Sequence, residues 1–288
     1  MKEIFAFFSF ALGACIASFL NVVIWRVPRG ESIVRPASHC PKCNARIKWW
    51  NNIPILSWLA LRGKCADCKA PISPRYVIVE TIGGLLFLAE YLRLDPLVGN
   101  GFGIWPPAAV FLLFAWIWIS LMIVGSFIDF DLQLLPDFVT VGGMILGVIH
   151  AITKVGFICL YVDPLPHWTQ LLSPLGFSLA GLALGFGLLY LIRFVGSKIF
   201  KREAMGLGDV FLMGAVGALF GPVAVVFTLI ASSIAGSIAG LGMIACSKLK
   251  LGKFVAIPYG PYIAIGCIVW MLRGPEFVQA YLQLILGK

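Results

Sequence analysis

Charged residues are scarce in this chain of 288 residues: only 12% are Asp, Glu, Lys or Arg, while 60% are hydrophobic. This composition excludes a soluble globular domain, whose surface needs far more charge. Acids are rarest, with thirteen Asp and Glu against 22 Lys and Arg. The chain also lacks the glycine-rich loop of a Rossmann-type nucleotide site. The composition therefore predicts an all-α polytopic membrane protein embedded in a lipid bilayer.

Long apolar runs recur along the chain and predict about eight transmembrane helices. Their expected bounds are 4–25, 77–92, 107–128, 138–153, 171–194, 208–221, 222–246 and 255–273. The first run lacks a convincing small-residue cleavage site, so a retained span is preferred over a removed signal peptide. Gly221-Pro222 predicts a tight turn between the sixth and seventh spans. Gly181, Gly185 and Gly187 suit close helix packing in lipid.

The basic residues lie mostly on one side of this arrangement. The loops after span one, before span six and after span seven hold seventeen of the 22 Lys and Arg. The positive-inside rule places these loops in the cytoplasm and both termini outside. Membrane topology therefore explains the net charge of +9, and no nucleic-acid partner is expected.

Two C-x-x-C motifs, Cys40/Cys43 and Cys65/Cys68, lie 21 residues apart in the first cytoplasmic loop. Four thiolates at this spacing can hold one tetrahedral Zn²⁺, which predicts a zinc-ribbon-like loop domain. The loop is too small to bury much core, so a metal would supply folding free energy. Paired disulfides are the alternative, disfavoured in a reducing cytoplasm. A four-thiolate site has no open position, so the zinc is expected to be structural, with His39 a neighbour.

Two groups of acids adjoin apolar runs on the predicted cytoplasmic face. Asp129, Asp131 and Asp137 lie between spans three and four, and Asp209 follows two glycines at the start of span six. Carboxylates that share a site cannot both ionise easily, so one holds a proton while the other activates water, as in an aspartic protease. Simpler roles stay open. Asp137 and Asp209 can cap helices, and Asp131 can be a solvated loop charge.

Two other classes of protein fit part of this pattern. A transporter that relays ions or protons through buried acids predicts carboxylates in the middle of spans, rather than at their ends. A zinc-ribbon membrane scaffold needs neither Asp129 nor Asp209. Trp49, Trp50 and Trp58, between the cysteine motifs, can form an interfacial belt or line a cofactor pocket.

A series of motifs extends over nearly the whole chain. They are ASFLNVVIWRVPRG at 17–30, CPKC, CADC, NNIPILSWLALRGKC at 51–65, ISPRYVIVE at 72–80, IDFDLQLLPD at 128–137, REAMGLGDV at 202–210 and PYGPYIAIG at 258–266. In these motifs and their order the chain resembles the type IV prepilin peptidases. These are bifunctional leader peptidase/N-methyltransferases of the bacterial inner membrane.

The resemblance implies a function and its residues. The family's two catalytic aspartates fall on Asp129 and Asp209. Such an enzyme cuts the basic leader of prepilins and pseudopilins after a glycine, on the cytoplasmic side. It then methylates the new N-terminal residue, usually phenylalanine, with S-adenosylmethionine. The cysteine loop marks the bifunctional members; a peptidase without methylation is the alternative. Family members often have lysine where this chain has Phe211, which leaves the GLGD motif intact.

The methyltransferase residues are less defined by the sequence. Glu80, Asn51 and Asn52 are candidates for contacts with S-adenosylmethionine or the substrate amine, and a salt bridge is an equal alternative for Glu80. The expected organisation is a first span at 1–25, a cytoplasmic four-cysteine zinc domain at 26–76 and a transmembrane peptidase domain at 77–288.

Overall fold

A computed structural model describes residues 2–98, 106–161, 168–203, 205–246 and 258–287. Within these ranges the regular structure is helical, without β-strands, which confirms the all-α prediction. The helices are α1 (Lys2–Arg26), α2 (Leu56–Ala60), α3 (Arg75–Val98), α4 (Pro106–Leu132), α5 (Asp137–Tyr161), α6 (Trp168–Phe200), α7 (Leu207–Phe220), α8 (Pro222–Cys246) and α9 (Gly260–Leu286). Short 3₁₀ turns cover Val27–Arg29 and Trp49–Asn52.

Each of the eight expected apolar runs coincides with a helix, but the described helices that are long and apolar enough to cross a membrane number six. They are α1, α4, α5, α6, α8 and α9. Helix α3 carries Glu80, Glu90 and Arg93, and α7 has only 14 residues. The multi-pass membrane fold is therefore confirmed, whereas the count of eight crossings stays a prediction. The start of the last expected run, at 255–257, lies outside the described residues.

The chain forms two compact units, Met1–Val124 and Gly125–Lys288. In the first unit, α1 packs closely against α3. A Cβ at Gly13 would lie 2.6 Å from the carbonyl oxygen of Gly83, so the two helices cross where neither has a side chain. The cysteine-rich loop connects these helices. Asn21 Nδ2 donates to the backbone oxygen of Tyr76 at 3.3 Å, near the point where the loop rejoins α3.

The second unit is built around α7. Every residue of this helix from Asp209 to Leu219 except Phe211 is buried, and the helix contacts α5, α6, α8 and α9. Gly181 and Gly185 of α6 face the α7 backbone so closely that a Cβ at either would overlap it, which confirms their predicted packing role. A Cβ at Gly187 would instead meet open space. Close packing by α6 therefore fixes the position of the helix that carries Asp209.

Candidate functional site

Asp129 lies three residues before the end of α4 and is 5% exposed. Its Oδ2 accepts a hydrogen bond of 2.9 Å from the backbone N–H of Gly260, the first residue of α9. The N-terminal N–H groups of a helix have no partner within that helix, and they favour negative charge. The second unit thus presents a helix N-terminus to this carboxylate.

Asp209 is the third residue of α7 and is 7% exposed. Its Oδ2 lies near Gly206, the residue that precedes α7, because a Cβ at Gly206 would be 3.5 Å from this oxygen. The N-cap residue of α7 is Gly206, and Asp209 lies in the first turn of the helix. The other oxygen, Oδ1, is buried without a hydrogen-bond partner. Capping does not account for that oxygen, because buried polar atoms in folded proteins are nearly always hydrogen-bonded.

The fold brings the two aspartates into one buried site. The two carboxylates are close enough to interact electrostatically. Leu135 lies beside a glycine next to each acid: its Cβ is 2.8 Å from where a Cβ would be at Gly208, which precedes Asp209, and its Cδ2 is 3.3 Å from the corresponding position at Gly260, which binds Asp129. Only residues without a side chain fit at these two positions without displacing Leu135. The arrangement can hold a water molecule and a proton between two carboxylates.

The other candidate acids lie elsewhere. Asp131 and Asp137 are exposed to solvent. Asp137 is the first residue of α5, where a carboxylate interacts favourably with the positive end of the helix dipole. Asp137 thus lies at a helix start, as its preferred capping role predicts, whereas Asp131 lies in the last turn of α4 rather than in a loop.

Sequence reasoning missed two groups that hold the site in place. Arg193 of α6 donates through Nε to the backbone oxygen of Met205 at 2.9 Å and pairs with Glu203 at 3.2 Å. It thereby fastens the segment that leads into α7. The Gly260 N–H was also missed, although the motif PYGPYIAIG that contains it was recognised. A sequence shows which side chains are present, but it does not show which backbone N–H groups bind a distant side chain.

In the first unit the four motif cysteines form one cluster. Their sulfur atoms all lie within 4.8 Å of one another, and the Cys40 and Cys68 sulfurs are 3.8 Å apart. Four bonds of about 2.3 Å to a tetrahedral Zn²⁺ would separate the sulfurs by about 3.8 Å, so the cluster fits such an ion. All four cysteines are free thiols. The N–H groups of Cys43 and Lys42 hydrogen-bond to the Cys40 sulfur and lower its pKa to about 6, which favours the metal-binding thiolate.

The two halves of the cluster have the same local structure. The N–H of Cys40 donates to Ala45 at 2.9 Å, and that of Cys65 donates to Ala70 at 2.8 Å. Asn44 and Lys69, which follow the second cysteine of each motif, both have a left-handed φ, of 55° and 58°. The repeated turn presents two sulfurs from each side. His39 lies outside the cluster, with Nδ1 3.1 Å from the Ala37 oxygen.

Glu80 is 8% exposed and contacts the loop between the cysteine motifs. Its Oε2 accepts a hydrogen bond of 2.8 Å from the backbone N–H of Ile55. Ile55 has a φ of 64°, rare for a β-branched residue, and the flanking Leu56 N–H donates to the Pro54 oxygen at 2.6 Å. Asn51 and Asn52 end the 3₁₀ turn three residues earlier. Glu80 therefore lies against the loop that carries both asparagines.

The three tryptophans of this loop divide into two kinds. Trp58 packs over Gly63 and donates through Nε1 to the Ile72 oxygen at 3.3 Å, so it forms part of the loop interior. Trp49 and Trp50 pack edge to face and are 76% and 50% exposed. Two large aromatic surfaces are thus available to a ligand or to the membrane interface.

Comparisons with known proteins divide the chain into two regions that resemble the two compact units. The family model described as bacterial peptidase A24 N-terminal domain matches residues 11–94, and that of the type IV leader peptidase family matches residues 116–241. A prepilin leader peptidase/N-methyltransferase of Myxococcus xanthus is 40% identical over 246 residues, 84% of this chain and 64% of the relative. The chain thus spans slightly under two thirds of that relative's length.

Other relatives are covered almost completely. A type 4 prepilin-like proteins leader peptide-processing enzyme of Escherichia coli is 35% identical over 280 residues, 89% of either chain. A prepilin leader peptidase/N-methyltransferase of Pseudomonas aeruginosa is 31% identical over 295 residues, 94% of this chain and 91% of the relative. No solved structure matches the chain.

Proposed function

Because this chain belongs to the type IV leader peptidase family, we propose that it removes the basic leader of type IV prepilins and pseudopilins after a glycine, using Asp129 and Asp209. The observation that carries the proposal is the unpartnered, buried Oδ1 of Asp209, placed in one site with Asp129. A carboxylate pair with a free oxygen can position a water molecule for attack on a peptide bond.

The chemistry needs one ionised and one protonated aspartate. The ionised carboxylate takes a proton from water while the water oxygen attacks the carbonyl carbon of the glycine. The protonated carboxyl then gives its proton to the amide nitrogen, and the C–N bond breaks. The two aspartates share these acid and base roles. The products are the leader, ending in a carboxylate, and the mature protein with a free N-terminal amine.

The position of the site supports a substrate that is itself a membrane protein. Asp129 and Asp209 lie at helix ends. A transporter would instead need acids in the middle of its spans. In the predicted eight-span arrangement, the positive-inside rule would put these ends and the cysteine loop on the cytoplasmic side of the bacterial inner membrane. The basic leader of a prepilin would then lie in the cytoplasm, while its apolar segment would lie in the bilayer.

We assign the second activity, methylation of the new N-terminus with S-adenosylmethionine, to the first part of the chain. The segment 26–76 acts as a zinc-stabilised domain between the span 1–25 and the peptidase region 77–288. Asn51, Asn52 and Glu80 stay candidates for the cofactor site. Glu80 already binds Ile55 by one oxygen, so the asparagine amides and the exposed Trp49 and Trp50 are the groups freest to meet a ligand.

A peptide mass assay tests both activities. Purified protein is incubated with a prepilin peptide whose basic leader ends in glycine before phenylalanine, and with the same peptide carrying alanine for that glycine. The glycine peptide is expected to lose its leader, and the product to gain the mass of one methyl group when S-adenosylmethionine is added. An uncut glycine peptide would refute the peptidase proposal. A cut but unmethylated product would favour the peptidase-only alternative.

A further inference from the structure

The hydrogen bond between Asp129 and α9 connects two distant parts of the chain. It joins residues 131 positions apart in the chain, and its donor is the backbone of Gly260 rather than a side chain. Both partners are buried. A buried carboxylate that accepts a backbone N–H is held in one orientation, since a swing away would leave two buried groups without partners.

The missing side chain of Gly260 also leaves room for the Asp129 carboxylate and for Leu135. A Cβ at this position would lie 2.7 Å from Asp129 Oδ2 and 3.3 Å from Leu135 Cδ2. The first distance is shorter than carbon and oxygen tolerate without a bond. Any side chain would therefore push the carboxylate off its hydrogen bond and toward the rest of the site.

The residue before it is anchored on another helix. The Tyr259 hydroxyl is 2.7 Å from Ser232 Oγ and 3.4 Å from Ser233 Oγ, both on α8. Ser232 is fully buried and also donates to the Leu229 oxygen at 3.1 Å. Helices α8 and α9 meet closely, because a Cβ at Gly266 would lie 3.0 Å from the Thr228 oxygen. The start of α9 is thus fastened on both sides of Gly260.

We infer that Gly260 is a positioning residue of the aspartyl site. Its N–H orients the Asp129 carboxylate, and the Tyr259–Ser232 hydrogen bond holds Gly260 in place. The inference rests on the proposed peptidase function for its kinetic consequence. Its structural consequence, a protected amide at Gly260 that depends on Asp129, is independent of any activity.

Amide hydrogen exchange tests the structural consequence. The segment 258–263 is suitable because Pro258 and Pro261 have no N–H, so few amides contribute. In the Asp129→Ala protein this segment is expected to take up about one more deuteron at short times than in wild type. The matched control, Asp131→Ala, is expected to leave its exchange unchanged. Equal uptake in Asp129→Ala and wild type would overturn the inference, whether or not the protein cleaves prepilins.

Kinetics test the positioning role. Gly260→Ala is expected to lower kcat for prepilin peptide by about 10²-fold with KM changed less than about twofold, the signature of a misplaced reacting group. Gly142→Ala is the control, because a Cβ there meets no atom within 4 Å. Membrane accumulation and thermal unfolding midpoint are measured for both. A folded Gly260→Ala protein with the wild-type kcat would contradict the inference.

A second pair of variants decides the matter if Gly260→Ala fails to accumulate. Tyr259→Phe removes only the hydroxyl, and we expect kcat to fall about fivefold to tenfold at unchanged KM. Ser232→Ala is expected to have a smaller effect, because the hydroxyl can still reach Ser233. The double variant should be no slower than Tyr259→Phe alone, as for two members of one interaction. A wild-type kcat in Tyr259→Phe, or additive losses, would count against the anchor.

Discussion

The two oxygens of Asp209 have different surroundings. Oδ2 lies near Gly206 at the start of α7, whereas Oδ1 is buried without a hydrogen-bond partner. Desolvating a polar atom without a hydrogen bond costs about 1–3 kcal/mol, more for a charged group. A protein that keeps such an atom gains from it elsewhere, and a proton or water shared with Asp129 is the simplest gain.

Substitution of the two aspartates separates catalysis from packing. Asp129→Asn and Asp209→Asn keep the size of the side chain but cannot exchange a proton with water, so cleavage of prepilin peptide should fall at least about 10³-fold. Membrane accumulation is expected to stay near wild type. The measurement is the initial rate of leader release by mass spectrometry.

Asp131→Asn is the matched control for this prediction, because Asp131 lies two residues from Asp129 but is exposed. It should retain most of the wild-type rate. Retained cleavage in Asp129→Asn with loss in Asp131→Asn would transfer the catalytic role to the neighbouring acid.

Helix α7 is short, apolar and enclosed, so its position depends on its neighbours more than on lipid. Gly181 and Gly185 of α6 lie where the two helices touch, and Ser178 adds a buried hydrogen bond of 2.6 Å to the Ala218 oxygen. Close backbone approach of this kind is typical of helix association in membranes, where apolar burial by itself gives little discrimination. The element that presents Asp209 is thus held by packing.

Enlarging a contact glycine should displace that element. Gly181→Val would force side-chain atoms into the Gly217 backbone, and overpacking typically costs about 1–3 kcal/mol. We expect a lower thermal unfolding midpoint in detergent and reduced cleavage. Gly187→Val, on the same helix but facing open space, should leave both near wild type. Equal midpoints for the two variants would show that α7 is not held by this contact.

The cysteine cluster is expected to stabilise its loop by binding zinc. A loop with so little buried area would gain folding free energy from four metal–sulfur bonds. The wild-type protein should contain about one zinc per chain by elemental analysis, and the variant with serine at Cys40, Cys43, Cys65 and Cys68 should contain none. Cys159→Ser, an exposed cysteine outside the cluster, is the control. Equal zinc in all three proteins would disprove the assignment.

At the scale of the whole molecule, the two groups of candidate residues fall in different compact units. Asn51, Asn52 and Glu80 belong to the first, and Asp129 and Asp209 to the second. The family models divide the chain in a similar place. Separate units make it physically reasonable for the two activities to be lost independently.

Two variants measured in two assays test this separation. Asp209→Asn should fail to cut a prepilin peptide but methylate a mature peptide with N-terminal phenylalanine at about the wild-type rate. Asn51→Ala should do the reverse, because the amide is distant in sequence from the aspartates and belongs to the other unit. Loss of both activities in each variant, with normal accumulation, would argue for a single shared site.

Local sequence was sufficient for much of this protein. Hydropathy located the helices, because membrane-spanning segments are recognised within a window of about 20 residues. The spacing of the cysteines predicted a cluster because one tight turn fixes the distance between the two sulfurs of each pair. The pairs are Cys40/Cys43 and Cys65/Cys68. Asp209 stood out because acids beside apolar runs are rare, whereas the choice of Asp129 as its partner came from the resemblance to the type IV prepilin peptidases.

Tertiary structure decided what these residues meet. The N–H of Gly260 reaches Asp129 only because the start of α9 lies beside the end of α4, and a contact across 131 residues leaves no periodic signal. Packing also determines that Oδ1 of Asp209 has no partner, that Leu135 lies beside Gly208 and Gly260, and that Glu80 accepts the N–H of Ile55. Hydropathy and spacing are properties of one segment, whereas the orientation of a buried carboxylate depends on the surrounding helices.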